Sequence, residues 1–366
     1  MYRILISVIS ALITMGAFAA ELPQSIFVGE REQGHVQGIA VDREKGFLYL
    51  SFTTQFLKTD LKGNIVGSID RIQGHLGAMT LGPDGRVYAS LECKDDVIGS
   101  SIARYLGTEK LSHDSSRFYV AIIDVDKVSR TGMDPEKDAV MTTVCVNDAV
   151  RDYQSGDYGC SGIDGITFAP AFGRKGGRQY LYVAYGIYGD INRKDNDNQV
   201  LLCYDTSGWK RYETAVTFGE LHENGPQKAL RKYFIHTGNT EWGVQNLAYD
   251  SSTNQMFLAV YKGSKSRWPN YDVFALDMNQ QASSAPLEGV PYSNSPVEQL
   301  EVSGAWYFRW GSTGLCPLGD GSYYISHNGA SDGNNYCEAC LYRWHASSSP
   351  DISPFVPATD APTGAE

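Results

Sequence analysis

Gly34-His35-Val36-Gln37-Gly38 is the first copy of a phrase that recurs along the chain. It returns as Gly74-His75-Leu76-Gly77, Ser161-Gly162-Ile163-Asp164-Gly165, Trp242-Gly243-Val244-Gln245-Asn246 and Gly311-Ser312-Thr313-Gly314. Each copy stands just before an apolar run. A phrase repeated at such intervals marks a repeated supersecondary unit. The same order follows each copy: a small apolar strand, a turn rich in Gly, Asp, Pro, Ser or Asn, then a second, alternating strand. A third strand closes the pattern, usually on Asp, and a weaker fourth can be drawn in most copies.

Four strands per unit, repeated radially, describe a β-propeller blade. The fold expected is all-β: a single β-propeller of five blades, each of four antiparallel strands. The copies begin at His35, His75, Gly162, Gly243 and Gly311. Only the first interval has the minimal blade length of ~40–45 residues. Six blades is the alternative, with the extra one inside the long interval before Gly162, although no sixth copy of the phrase is found. Val97–Leu106 is the one helical candidate, and it sits in an insertion. Residues 25–28 are expected to complete the last blade and close the ring.

Residues 1–19 read as a secretory signal: Arg3, an apolar stretch, then Ala17-Phe18-Ala19. The propeller is expected over 20–349, with 350–366 a frayed, Pro-rich tail. After the leader no segment approaches the ~20 apolar residues of a bilayer span. The expected location is the periplasm or the outside of the cell. A formal charge of −11, with no basic cluster, argues against nucleic-acid or anionic-membrane partners. A monomer that binds a small molecule or an oligosaccharide is expected. The 23 tyrosines suit sheet surfaces; the sharper reading is sugar stacking.

In a propeller, the start of the innermost strand and the end of the second lie on one face. The insertions at 93–117, 187–199, 262–272 and 328–338 all fall there, which marks a binding face. His35 and His75 are candidate general base and acid, because imidazole titrates near working pH. Tyr185 is a candidate to assist proton transfer. Arg309 and Lys262 would hold an anionic group, and Trp242 and Trp310 would stack on a sugar ring. Gln37, Gln245 and His327 complete the expected binding set. The bland alternative is also physical: glycines turn the chain near a crowded axis, and polar groups there bond to water.

Two metal readings arise. The oxygen-rich run from Asp190 to Asn198 suggests Ca²⁺ but lacks the EF-hand pattern. An axial ion held by Gln37, Asp164, Gln245 and Thr313 is the other. Seven cysteines in an oxidising compartment suggest disulfides. Cys145 and Cys160 are plausible partners. Cys337-Glu338-Ala339-Cys340 reads as a loop staple rather than a redox or zinc motif, since it leads into a strand. Cys203 and Cys316 read as free core thiols.

The stretch from Gly34 to Gly77, with Ser51-Phe52-Thr53-Thr54 and Lys58-Thr59-Asp60-Leu61 inside it, resembles a family of bacterial secreted β-propellers that has no assigned activity. The resemblance continues at Tyr158 to Gly165, Tyr185 to Asp190 and Gly243-Val244-Gln245-Asn246. It implies the fold and no residue roles. The blades are also loosely similar to those of lactonase-type and glycan-lyase propellers, without their complete catalytic signatures. The leading functional expectation is a carbohydrate-active hydrolase or lyase. The alternatives are a Ca²⁺-dependent lactonase or phosphoester hydrolase, and a non-catalytic glycan- or protein-binding propeller.

Overall fold

The computed structural model describes residues 22–31, 34–287, 295–331 and 333–359. The leader expected over 1–19 lies outside them. The chain is a five-blade β-propeller. Blade one is Val36–Asp42, Phe47–Phe52, Gln55–Asp60 and Ile65–Ile69, paired in that order. Blade two is His75–Leu81, Val87–Cys93, Arg117–Ile123 and Met141–Cys145. Blade three is Cys160–Ala169, Tyr180–Ile187, Asn198–Tyr204 and Arg231–His236. Blade four is Thr240–Asp250, Gln255–Lys262, Val273–Asp277 and Gly304–Trp306. Blade five is Leu315–Pro317, Ser322–Ser331, Asn334–Trp344 and, from the other end of the chain, Ser25–Arg31. The first strands of the blades meet around the axis.

The long intervals do not hold a sixth blade. Part of the extra length widens neighbouring sheets. Thr214–Ala215 pairs with the outer strand of blade two. Val297–Leu300, from the excursion between the last two strands of blade four, lies parallel on Arg231–His236, and Ser283–Ala285 pairs beyond it. Two helices absorb more. Helix α1, Val97–Leu106, begins where Asp96 accepts from the Ile98 and Gly99 amides and ends on left-handed Gly107. Helix α2, Asn147–Ser155, has no side-chain N-cap; it starts at Val146 straight from a strand, so the sequence carries no start signal for it.

Blades are packed on both faces, so their middle strands are buried throughout, as in Leu181 to Ile187. At the axis the inner strands approach too closely for side chains. A Cβ on Gly38 would lie 2.6 Å from the Ala78 Cα.

Three expectations need correction. The tail is not frayed up to Thr359: Phe355–Pro357 pairs with Tyr342–Trp344. Phe355 is 1% exposed and packs among Phe257, Phe308, Tyr323 and Trp344. Pro357 sits on this outer strand, where a missing amide costs little. Residues 360–366 lie outside the described chain. The insertion at 328–338 is a continuation of the blade-five hairpin, paired from His327↔Glu338 to Ser331↔Asn334. All seven cysteines are free. Cys145 Sγ instead approaches Asn147 Oδ1 at 3.5 Å, and Cys160 Sγ approaches the Gly162 carbonyl at 3.6 Å. Cys337 and Cys340 lie three apart on one strand, which puts them on opposite faces.

Candidate active site on the upper axial face

In four of its five copies the repeated phrase is a β-bulge. The register of the inner strand slips between Val36 and Gly38, Leu76 and Met79, Ile163 and Ile166, and Val244 and Asn246. A bulge adds an unpaired residue and re-aims its side chain. The residues so placed include Gln37, Asp164 and Gln245, each 5% exposed, one from each of three blades.

Around Asp164 the blades interlock. His75 Nδ1 lies 3.2 Å from Glu92 Oε2 and 3.7 Å from Asp164 Oδ1. Gln245 Nε2 donates to Asp164 Oδ2 and to the Trp242 carbonyl, both at 2.9 Å. Glu92 Oε1 accepts from the Ile163 amide at 2.9 Å, tying blade two to blade three. That approach requires a glycine at Gly162, whose φ is +132° and whose Cβ would lie 2.0 Å from Glu92 Oε1. Lys94 Nζ closes the cluster, 2.7 Å from Glu92 Oε2 and 2.9 Å from the Ser161 carbonyl. The hydroxyls of Ser90 and Ser161 are buried without a partner. At the mouth, exposed His35 takes Gln37 Nε2 at 2.7 Å from its own Nε2. Trp242 holds a left-handed φ of +65°, a conformation that costs about 1 kcal/mol or more in a bulky residue.

The charges sort the protons. Burial, then the Glu92 charge, pushes the Asp164 carboxyl up to about 7. Burial would raise Glu92 too, but the Lys94 charge and the His75 bond outweigh it and hold Glu92 below its usual range. Burial opposes the charged His75 ring, yet the Glu92 bond and the two carboxylate charges win and raise it. His35 moves the other way: although the residue as a whole is exposed, the groups packed around its ring desolvate it and the His75 charge adds to the lowering. The result is one carboxylate kept ionised, one poised near neutrality, one imidazole favouring its proton and one disfavouring it. Divergent pKa values in neighbouring groups are the mark of an acid–base site.

The other expected residues do not all join this cluster. Tyr185 is fully buried within its blade, donates to Asp152 Oδ2 at 2.8 Å, and burial pushes its pKa well up. Arg309, Trp310 and His327 form a separate stack on blade five: the Arg309 guanidinium lies 4.0 Å over the Trp310 ring, which lies 4.1 Å from His327 at 15°. His327 Nε2 is 2.7 Å from the Tyr342 hydroxyl. Lys262 is exposed at the end of its strand. Trp242 meets Tyr188 edge-on at 5.8 Å.

Among the described residues, the one group of three His, Cys, Asp or Glu ligand atoms within 4.8 Å is His75, Glu92 and Asp164. Asp190 is apart from it, exposed, and accepts from the Asn192 amide. The neighbouring acids are held by the protein's own cations, Asp195 by Arg193 and Asp197 by Lys265 and Arg267. Of the residues drawn into an axial calcium ring, Gln37 Nε2 meets His35, Gln245 Nε2 donates to Asp164, and Thr313 Oγ1 pairs with Ser326. Lys94 was absent from the expected site. Its only sequence signal is its place two residues after Glu92, at the end of a second strand.

No family model and no curated protein matches this chain. Solved structures with a similar fold include a luciferin-regenerating enzyme, 12% identical with a TM-score of 0.41 over 89% of this chain and 76% of that one. A glucose dehydrogenase is 11% identical, TM-score 0.38, over 89% of this chain and all of its own. A gluconolactonase from Xanthomonas campestris is 9% identical, TM-score 0.31, over 89% and 93%. No residue role is carried over from them.

Proposed function

We propose that the upper axial face is an acid–base active site acting on a carbohydrate or related polyol, by hydrolysis or β-elimination. The observation that supports this best is His75 bridging Glu92 and Asp164, with the two carboxyl groups driven apart in pKa. His75 and Asp164 hold the proton to be donated. His35, disfavouring its proton and accepting from Gln37, is the base at the mouth. Lys94 keeps Glu92 ionised and so keeps His75 charged. The test is turnover of neutral and uronate-containing oligosaccharides by wild type, His75→Gln and Asp164→Asn, following reducing ends and the ultraviolet band of unsaturated products. Each substitution is expected to lower turnover about 10²–10⁴-fold. Wild type that releases neither product across a broad panel sinks the reading.

The compactness of the His75, Glu92 and Asp164 donors supports a second reading, a metal-dependent hydrolase. One imidazole and two carboxylates suit a transition metal better than Ca²⁺, which takes six to eight oxygens. Such an ion has to displace the Lys94 ammonium from Glu92. Metal analysis of purified protein, with melting in chelator, separates the two readings.

A further inference from the structure

A groove of about 420 Å³ opens beside the axial cluster. It is lined by Asp95, Asp96 and His113 of the blade-two insertion, Tyr153 of α2, and Tyr188 and Arg193 of the blade-three insertion. The volume lies within the ~300–1,000 Å³ of small-molecule sites. His113 lies against Tyr153 with centroids 4.7 Å apart. The Tyr153 hydroxyl, the Ser116 hydroxyl and His113 Nδ1 all approach Asp95 at Oδ1. Asp95 Oδ2 has no side-chain partner among the described residues, and a carboxylate oxygen accepts more than one donor. Arg193 is held by both oxygens of Asp195, so its charge is neutralised. The lining therefore offers aromatic faces and carboxylate acceptors and repels anions.

The groove is joined to the cluster at two points. Asp96 Oδ2 lies 3.3 Å from Lys94 Nζ and 3.4 Å from the Tyr188 hydroxyl. Tyr188 packs on Trp242, whose carbonyl receives Gln245 Nε2.

We propose that this groove is a subsite for a neutral sugar unit, which holds an oligosaccharide so that its next linkage lies at His35 and His75. Tyr188 and His113 pack on the apolar face of the ring, and Asp95 Oδ2 accepts from its hydroxyls. The inference rests on the reading that the upper face acts on carbohydrate.

The experiment uses the full chain and neutral oligosaccharides of two to four units. KM and kcat are measured for wild type, Tyr188→Ala and the conservative Asp95→Asn. Calorimetric Kd values are measured in an Asp164→Asn background, which blocks turnover. An aromatic contact of this kind is worth about tenfold in affinity. Tyr188→Ala and Asp95→Asn are each expected to raise KM and Kd about tenfold while kcat stays within about threefold. Unchanged KM and Kd in both variants overturn the groove, and the acid–base reading then stands if Asp164→Asn still abolishes turnover. Binding that weakens in both groove variants, with no turnover by wild type, supports the groove as a sugar site and overturns the reading. Neither binding nor turnover by wild type overturns both.

Discussion

Asp164 contacts an imidazole and an amide, and burial with Glu92 holds its carboxyl at about 7. The folded state therefore binds a proton that the unfolded chain, with an ordinary Asp near ~3.9, has already released. Stability from this group is full below the unfolded value and is lost as pH rises through about 7. His75, also raised, adds loss in the same direction at higher pH. Chemical denaturation between pH 5 and 8 is expected to show stability falling with pH, with a shallower slope in Asp164→Asn; equal slopes refute the assignment. Lys94 gives a second prediction at this scale. Removing one partner of a buried ion pair leaves a bare charge, which costs about 3–5 kcal/mol. Lys94→Met is expected to destabilise by that amount, and Lys94→Met with Glu92→Gln to recover most of it. A double variant no more stable than the single one shows that Glu92 is not what Lys94 compensates.

Phe355–Pro357 is short, yet it sets the Phe355 ring into a cluster of four other aromatic rings. Phe355→Ala is expected to destabilise by about 3–5 kcal/mol, the usual cost of emptying a buried Phe site. A loss under about 1 kcal/mol in denaturant titration indicates a detached strand. This element also shows what the sequence hides. The first three strands of every blade were legible because apolar alternation and turn residues are local signals, whereas the outer strands Arg231–His236 and Gly304–Trp306, set off by long excursions, were not. The Phe355 strand was not, since two flanking prolines and a polar tail look like a free end until a partner edge is supplied. α2 lacks a capping residue for the same kind of reason: its start is fixed by the strand before it. The repeated phrase located the axis, and with it His35, Gln37, His75, Asp164 and Gln245. Its nature as a bulge, and the cross-blade bonds that gather Lys94 and exclude Tyr185, depend on register and on neighbouring blades. Arg309, Trp310 and His327 share the rim by sequence position, but the Arg309 guanidinium and the His327 ring each stack on Trp310.

At the scale of the molecule, the ring is closed by the first and last described strands of the propeller. Ser25 pairs with Cys340 while Tyr342 pairs with Pro357, so both terminal strands share the outer edge of Asn334–Trp344. Leu341 stands between them: its amide donates to the Gln24 carbonyl at 2.8 Å, and its carbonyl accepts from the Ala358 amide at 2.9 Å. Both strands run antiparallel to the same partner, so the last strand points into the first, head to tail. The outer strand of blade five is thus one strand cut in two. A short glycine linker from Thr359 to Leu22 would rejoin it, and new ends could be opened in the exposed turn at Asp84. Such a circular permutant is expected to fold, with melting at or above that of the parent; insoluble protein would show that the break in this outer strand is needed. The natural cut also orders events in time: the first strand made is the last to find its place, waiting with its edge unpaired until the final blade exists.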